Sequence, residues 1–281
     1  MRIGIFGSTG YIGGHLCAYF SNNSNMQMVA MDLNSQVNVD AIIISVGTLG
    51  NRIFYDNPLK VIESNHKLVL AILQKLLLQD YKNPIYFLSS YFVYGECVDP
   101  KTEKESCNPR GMYSVYKYQT EKLALEFAIH HNLTFHILRM SNILGHIGDP
   151  ASNQHNTISY LLKKLKNQED ITLYGLGKIS RNILMIEDFI HAIEIVLKVK
   201  NHPRIINIGS PNHFEFLRFF SLAKEIFKSK SFINLDENDE SIDIRSAMIN
   251  IDYLNQLGFS PNYVDASDMI SKWNMLGKLI D

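Results

Sequence analysis

The chain has 281 residues, of which 46% are hydrophobic and 20% are charged, and its formal net charge is −1. This composition is that of a globular protein with one large domain or two modest ones. No stretch gathers Lys and Arg on one face and no apolar run approaches the roughly 20 residues of a membrane span, so we expect no nucleic-acid and no membrane partner. The three cysteines, Cys17, Cys97 and Cys107, follow no metal-ligand spacing. Together with the lack of a signal-peptide pattern, they predict a cytoplasmic protein with free thiols and no metal site.

Strand-like and helical segments alternate through the first two-thirds of the chain. The strand-like runs are "RIGIF", "MQMVAM", "AIIISV", "IYFLSS" and "FHILRM". Helical spacing is found in "GYIGGHLCAYF", in the long segment that starts near Asn57-Pro58, and in the segment after Tyr113. This alternation predicts an α/β fold with a doubly wound parallel sheet covered on both faces. We assign it to residues 1–145, with a returning strand near 183–210.

The alternation of strand-like and helical segments becomes less regular after Gly145. Amphipathic helical segments such as "NTISYLLKKLKN" and "FLRFFSLAKEIFK" are interleaved with short strand-like runs such as "ITLYG" and "FINL". Residues 146–281 are therefore predicted to form mainly a smaller α/β lobe.

A glycine-rich loop follows the first predicted strand. In "GSTGYIG", Gly7, Gly10 and Gly13 stand between a strand and a helix, which is the context in which such glycines allow a tight turn and close approach to a pyrophosphate. The free N–H groups at the helix N-terminus then face the phosphates. Asp32, at the end of the second strand, is placed to meet the adenosine ribose hydroxyls. Its charge disfavours a 2′-phosphate, so it favours NAD over NADP.

Tyr113 and Lys117 lie four residues apart in "YSVYK", at the start of a segment with helical spacing. The two side chains therefore share one helix face. Such a pair is either a solvated surface pair or an acid/base pair with an adjusted pKa. Ser90 and the glycine loop favour the second interpretation.

With these motifs in place, the chain resembles the extended branch of the short-chain dehydrogenase/reductase superfamily that modifies nucleotide-activated sugars. "FLSSYFVYG", "ESCNPRGMYSVYK", "LRMSNILG" and "LYGLGKISRNILMIED" are similar to motifs of that branch and occur in the same order. The resemblance covers nearly the whole chain. It implies a Rossmann-like fold, NAD or NADP as cofactor, and a nucleotide sugar as substrate, bound mainly by the lobe of residues 146–281. It also implies a role in making surface-polysaccharide sugars.

The resemblance also implies the chemistry and its residues. Ser90, Tyr113 and Lys117 are the expected catalytic residues. A hydride moves between nicotinamide and a sugar carbon while Tyr113 transfers a proton at the adjoining oxygen, which Ser90 holds. Because a phenol has a pKa of about 10, we expect Lys117 and the positive nicotinamide ring to lower the pKa of Tyr113.

The predicted binding residues fall into two sets. Cofactor contacts are expected from Gly7, Thr9, Gly10, Tyr11, Ile12, Gly13, Asp32, Leu33, Val46, Gly47, Lys117 and Arg139. Substrate contacts are expected from Tyr91, Asn142, Asn156, Arg181 and Arg245. Arg181 is the best candidate for the nucleotide diphosphate, because a guanidinium binds phosphate oxygens in two places. For Asn142 and Asn156, a plain loop hydrogen bond is the alternative.

Departures from the family pattern reduce the number of reactions that the chain is expected to catalyse. Tyr91-Phe92 stands where family dehydratases have an Asp-Glu pair, and Phe92 stands where GDP-fucose-type epimerase-reductases have Cys, so neither activity is expected. A 4-ketoreductase and a 4-epimerase remain. Only seven residues, "LNSQVNV", separate Asp32 from Asp40, where relatives have a longer segment that helps to cover adenine. The chain thus resembles compact dTDP-4-dehydrorhamnose reductase-like members. A reduced adenine pocket favours a reductase, because an epimerase must retain its NAD through every turnover.

Two further alternatives stay open at this point. Glu240 stands where relatives have an Arg, although Arg245 and Lys178 are available to compensate, so a reductase for a non-sugar carbonyl is possible. A non-catalytic dinucleotide sensor is the other alternative, although such sensors commonly lack the Tyr/Lys pair. The family implies a homodimer formed through the Tyr113 helix and the helix that begins with "NPLKVIES".

Overall fold

The computed structural model describes residues 1–21, 25–47, 55–97, 99–145, 157–199, 201–238 and 246–277. Its strands are β1 (Arg2–Phe6), β2 (Gln27–Met31), β3 (Ala41–Ile44), β4 (Ile85–Ser90), β5 (Phe135–Met140), β6 (Asn142–Leu144), β7 (Ile171–Tyr174), β8 (Ser180–Met185), β9 (Ile205–Ile208), β10 (His213–Glu215) and β11 (Ile233–Asp236). Its α-helices are α1 (Tyr11–Phe20), α2 (Pro58–Ile62), α3 (Leu68–Leu78), α4 (Met112–His130), α5 (Thr157–Lys166), α6 (Ile186–Lys198), α7 (Phe216–Ile226), α8 (Asp252–Gln256) and α9 (Ala266–Gly277). A π-helical turn (Glu63–Lys67) joins α2 to α3, and a 3-10 turn (Tyr91–Tyr94) follows β4.

The main sheet is parallel throughout, in the order β2-β1-β3-β4-β5-β9. The predicted α/β fold with a doubly wound parallel sheet is confirmed. The returning strand is β9, which pairs with β5 and lies within the predicted range. Residues 32–40 contain neither a helix nor a strand, so β2 forms the edge of the sheet in the part of the chain that the structure describes. This is the shortened connection expected from "LNSQVNV".

Both faces of the main sheet are covered by apolar helix surfaces. On one face, side chains of α1, α6 and α8 pack on the sheet, with Leu16, Phe189 and Leu254 among the buried residues. On the other face, α3 and α4 contribute residues such as Ile72 and Ala124. Every residue of β3 and β4 is buried, which explains their almost continuous apolar sequences.

A second group of strands lies outside the main sheet. One small sheet has the order β10-β8-β6, and β7 pairs with β11 in another. Their core includes side chains of α5, α7 and α9, such as Leu162, Phe220 and Trp273. β6 precedes residue 145 and pairs with β8, so residues on both sides of position 145 contribute to this group of strands. The division of the chain into two domains stays a prediction.

None of the helices within the described ranges is both long enough and apolar enough to span a membrane. Those same ranges contain no group of three or more His, Cys, Asp or Glu residues placed to hold a metal ion.

Candidate active site

The glycine loop occupies the carboxyl end of β1. Gly7 has a φ of +92°, and a Cβ there would lie 2.4 Å from the Ser45 carbonyl oxygen; a Cβ on Gly13 would lie 2.0 Å from the Gly7 carbonyl oxygen. Both positions therefore require glycine. Gly10 caps α1 without a side-chain hydrogen bond, so the N–H groups of the first helical turn are not satisfied by a capping side chain. This loop and helix end fit a dinucleotide pyrophosphate.

The other predicted cofactor residues surround this loop, because β1 lies between β2 and β3 in the sheet. Asp32 follows β2 and is exposed; its carboxylate accepts hydrogen bonds from the Asn34 N–H (2.8 Å) and the Ser35 hydroxyl (2.9 Å), which lower its pKa. Leu33 is exposed next to it. Val46 and Gly47 follow β3.

Three more predicted cofactor residues are in the loop and in α1. Thr9 is exposed in the loop, and the Ile12 side chain packs against the core beneath α1. The Tyr11 hydroxyl is buried beside Gly145 and has no hydrogen-bond partner among the described residues. Cofactor contact by all these residues stays a prediction.

The structure brings Ser90, Tyr113 and Lys117 together. Ser90 is the last residue of β4, and its hydroxyl hydrogen-bonds the phenol of Tyr113 on α4. Lys117 lies one turn further along α4, is only 6% exposed, and donates a hydrogen bond from Nζ to the Leu88 carbonyl oxygen at 3.4 Å. All three side chains lie at the carboxyl edge of the sheet, the edge at which open α/β sheets bind ligands.

Burial dominates the electrostatics of this group. It lowers the pKa of Lys117 from 10.5 to about 8, against an opposing effect of Glu121. Burial also raises the pKa of Tyr113, against the hydrogen bond from Ser90. The chain's own groups thus shift the Tyr113 pKa in the direction opposite to the predicted one, because desolvation outweighs the favourable interactions. The nicotinamide ring remains as the predicted source of a lower value.

Arg139 makes structural contacts with the chain itself. Its guanidinium is 3% exposed, forms a bidentate ion pair with Glu121 of α4, and lies 4.6 Å from the centre of the Tyr94 ring. Contact between Arg139 and a cofactor, implied by the family resemblance, stays a prediction.

The predicted substrate residues that the structure describes lie beside Tyr113. Tyr91 is buried and donates a hydrogen bond to Asn142 Oδ1 at 2.5 Å. The Arg181 guanidinium lies 5.3 Å from the Phe92 ring centre and 5.6 Å from that of Phe216. The Phe92 ring is in turn edge-on to the Tyr113 ring, with centres 6.3 Å apart. Phe92 is therefore a neighbour of both Arg181 and the Tyr113 ring. Asn156 and Arg245 lie outside the described residues.

The sequence matches the family described as "NAD dependent epimerase/dehydratase family" over residues 3–209. The chain belongs to this family. A curated relative, a putative UDP-glucose 4-epimerase of Methanocaldococcus jannaschii, is 25% identical over 245 residues, which cover 86% of this chain and 79% of the relative.

Two solved structures share the fold along the whole of both chains. One is a UDP-glucose 4-epimerase of Thermotoga maritima with UDP-glucose (TM-score 0.86, 20% identity, 100% of each chain). The other is a UDP-glucuronic acid 4-epimerase of Bacillus cereus with UDP-glucuronic acid and NAD (TM-score 0.85, 20% identity, 100% of each chain). The predicted epimerase/dehydratase family and the Rossmann-like fold are confirmed.

In this member of the epimerase/dehydratase family, the structure adds two residues that the sequence analysis missed. Asn65, in the π-helical turn, is buried with its Oδ1 beside Gly47; a Cβ on Gly47 would lie 2.6 Å from that oxygen and 3.4 Å from Lys117 Nζ. Its Nδ2 donates to the Val61 carbonyl oxygen at 3.0 Å. Glu121 is the second. Its spacing of four from Lys117 was available in the sequence, but its partner Arg139 on another element was not.

Proposed function

We propose that the protein is an NAD(P)-dependent nucleotide-sugar oxidoreductase that reduces a 4-keto group of its sugar substrate. The main support is the convergence of Ser90, Tyr113 and Lys117 at the carboxyl edge of the sheet, beside a glycine loop that fits a pyrophosphate. The B. cereus relative, solved with NAD and a UDP-sugar, has the same overall fold.

Each of the three side chains has a separate role. Tyr113 donates the proton to the carbonyl oxygen that is being reduced, and its high pKa keeps it protonated until that transfer. Ser90 holds the same oxygen by a hydrogen bond and is already oriented toward the phenol. Lys117 places a positive charge below Tyr113, which stabilises the phenolate left after the transfer. Bound nicotinamide supplies the hydride.

The cofactor-binding residues hold the dinucleotide in place and take no part in the proton or hydride transfer. Gly7, Gly10 and Gly13 admit the pyrophosphate to the N-terminus of α1. Asp32 binds the adenosine ribose, and the negative charge that an aspartate carries at neutral pH disfavours a 2′-phosphate. Lys117 binds the nicotinamide ribose.

Phe92 and Arg181 determine what enters beside Tyr113. Arg181 binds the diphosphate of the nucleotide. Phe92 offers an apolar ring next to both Arg181 and Tyr113, so no carboxylate is present at this position to remove or return a proton for elimination of water. The arrangement therefore supports hydride transfer without dehydration.

The choice of a reductase depends on the shortened connection between β2 and β3. Residues 32–40 form no helix or strand, so they leave the adenine side of the sheet with less cover. This favours a cofactor that binds and dissociates in each cycle. A 4-epimerase is the second candidate, favoured by the description of the M. jannaschii relative.

Turnover with a panel of substrates tests the proposal. Purified protein is mixed with NADH or NADPH and with UDP-, GDP-, dTDP- and CDP-linked 4-keto-6-deoxy sugars. We expect stoichiometric oxidation of the reduced cofactor with at least one of them. Interconversion of gluco and galacto sugars without net use of cofactor would instead establish the epimerase.

Two controls separate the remaining alternatives. Thermal shift with each free nucleotide reports whether the substrate lobe binds a nucleoside diphosphate at all; stabilisation by none of them would favour a non-sugar carbonyl. A protein that binds NADH but turns over no substrate in the panel would favour a dinucleotide sensor.

A further inference from the structure

Glu121 and Arg139 form a fully buried ion pair near the proposed catalytic group. Their exposed fractions are 1% and 3%. Arg139 Nη2 donates to Glu121 Oε2 at 2.7 Å, and Nε donates to Oε1 at 3.2 Å, so the contact is bidentate. Such a geometry fixes the orientation of both groups.

The pair joins the two elements that hold the catalytic side chains. Glu121 lies on α4 one turn beyond Lys117, so that Tyr113, Lys117 and Glu121 follow one another at intervals of four residues. Arg139 lies on β5 directly beside Ser89 of β4, one residue before the position paired with Ser90. The contact therefore ties the helix of Tyr113 and Lys117 to the strands that position Ser90.

Glu121 is also the nearby acidic group that acts on Lys117. The β4 groups around the ammonium, the Leu88 carbonyl and the Phe87 ring (5.3 Å from Nζ to its centre), carry no charge, and neither do Gly47 and Asn65.

The titratable groups on α4 besides Lys117 are Tyr113, Tyr116, Tyr118, Glu121, Lys122, Glu126 and His130. The elements around it add Glu63, His66 and Lys67 of the π-helical turn, Lys75 of α3, Tyr86 of β4, and His136 and Arg139 of β5. Of these, Glu63, Lys67, Lys122, Glu126 and His130 are exposed. The His66 ring lies at a tilt beside the Tyr116 ring, with centres 5.3 Å apart. Burial lowers the pKa of His66, so it adds no positive charge at neutral pH. Glu121 raises the pKa of Lys117 against the effect of burial.

Stability alone is a weak reason for this pair. Desolvating two charges costs several kcal/mol per ion, and well-packed apolar replacements of buried ion pairs are often neutral or stabilising. A function that needs the charge of Glu121 explains its presence better.

We propose that Glu121 and Arg139 position the catalytic group: the pair holds α4 in register against the Ser90 strands, and it fixes a negative charge one helical turn from the Lys117 ammonium that supports Tyr113. The inference has a catalytic half, the effect of the pair on turnover, and an electrostatic half, the effect of Glu121 on the charge of Lys117. Only the catalytic half rests on the proposed function.

The electrostatic half is tested without substrate. We measure the unfolding free energies of the wild type and of Lys117→Met from about pH 7 to about pH 10. The pH dependence of their difference gives the pH midpoint at which Lys117 loses its proton in the folded protein. The same difference is then measured in a Glu121→Gln background. We expect the midpoint to fall by about 1 pH unit, since an opposite charge within a few ångströms typically shifts a pKa by that much or more. Glu126→Gln, an exposed change on the same helix, should leave the midpoint unchanged.

The catalytic half is read from the pH dependence of kcat. In Glu121→Gln the alkaline limb should move to lower pH by about the same amount, and Glu121→Asp should restore it. Arg139→Lys keeps the charges but loses the bidentate contact, so kcat should fall about ten-fold or more while the limb stays in place. A merely structural pair would lower kcat without moving the limb in any variant.

Folding failure of a single variant does not block the test. Glu121→Gln leaves Arg139 unpaired, so Glu121→Gln/Arg139→Gln, which removes both charges, is measured in parallel. An unchanged midpoint and an unchanged alkaline limb in Glu121→Gln would overturn the proposal. So would an identical midpoint in Arg139→Gln and in the double variant, because only the charge of Glu121 differs between those two. A shifted midpoint in a protein that turns over no nucleotide sugar would support the action of the pair on Lys117 and overturn only the proposed function.

Discussion

Replacing Lys117 by Met should stabilise the protein near neutral pH. Lys117 is 6% exposed, and burial lowers its pKa from 10.5 to about 8. At roughly 1.4 kcal/mol per pKa unit, this shift means that the protonated lysine costs the folded state about 3 kcal/mol. Methionine has a similar unbranched shape without the charge, so Lys117→Met should gain up to about 3 kcal/mol of unfolding free energy at neutral pH.

The lowered pKa of Lys117 determines whether the stability of the wild type rises or falls with pH. The folded-state pKa lies below the unfolded one, so between about pH 8 and about pH 10.4 the unfolded chain binds more protons than the folded chain. Wild-type stability from this group therefore rises with pH through that window, whereas below it both states are protonated and the full cost is present. The advantage of Lys117→Met should disappear as the pH approaches 10.4.

Urea unfolding at several pH values measures the difference. Lys122→Met is the matched control, because Lys122 is exposed on the same helix and should show no such pH dependence. If Lys117→Met is less stable than the wild type at every pH, or if its advantage does not change with pH, then the buried ammonium is not destabilising and the reasoning fails.

Other changes test the remaining parts of the site. Tyr113→Phe should reduce kcat at least about 100-fold, since general acid catalysis typically contributes that much, while NADH still binds by fluorescence titration. Gly13→Ala should abolish NADH binding and cost about 1–3 kcal/mol, because its Cβ would lie 2.0 Å from the Gly7 carbonyl oxygen; Gly14→Ala, whose nearest contact is 3.7 Å away, is the tolerated control. Leu123→Glu on α4, where Leu123 is 48% exposed, should convert the expected homodimer to a monomer in size-exclusion chromatography. The equally exposed Leu235 on β11 should tolerate Glu, and a monomeric wild type would refute the dimer prediction.

The parallel sheet could be predicted because each of its strands has a recognisable pattern in a short stretch of sequence. β3 and β4 are buried on both faces, so their apolar runs are unbroken, and each is followed by a helical segment. The glycine loop could be predicted as well, because the positive φ of Gly7 and the lack of space for a side chain at Gly13 each require glycine.

The features that sequence missed depend on contacts between distant segments. The π-helical turn that buries Asn65 beside Gly47 has no composition of its own. Glu121 looks like any helical carboxylate until Arg139 of β5 is packed against it. The raised pKa of Tyr113 depends on how deeply α4 is buried, which spacing alone does not determine.

Several unfavourable local arrangements occur near the carboxyl edge of the main sheet. Lys117 is buried at a cost in stability, and the π-helical turn replaces a regular helix beside it. Within the described residues, the Ser89 and Tyr11 hydroxyls are buried without hydrogen-bond partners. Each of these lowers stability, and each would be removed by common substitutions. Departures of this kind are typical of sites where function opposes stability. The burial of Lys117 beside Ser90 and Tyr113 is the departure that bears on function, and it argues for an active enzyme over a sensor that keeps only the fold.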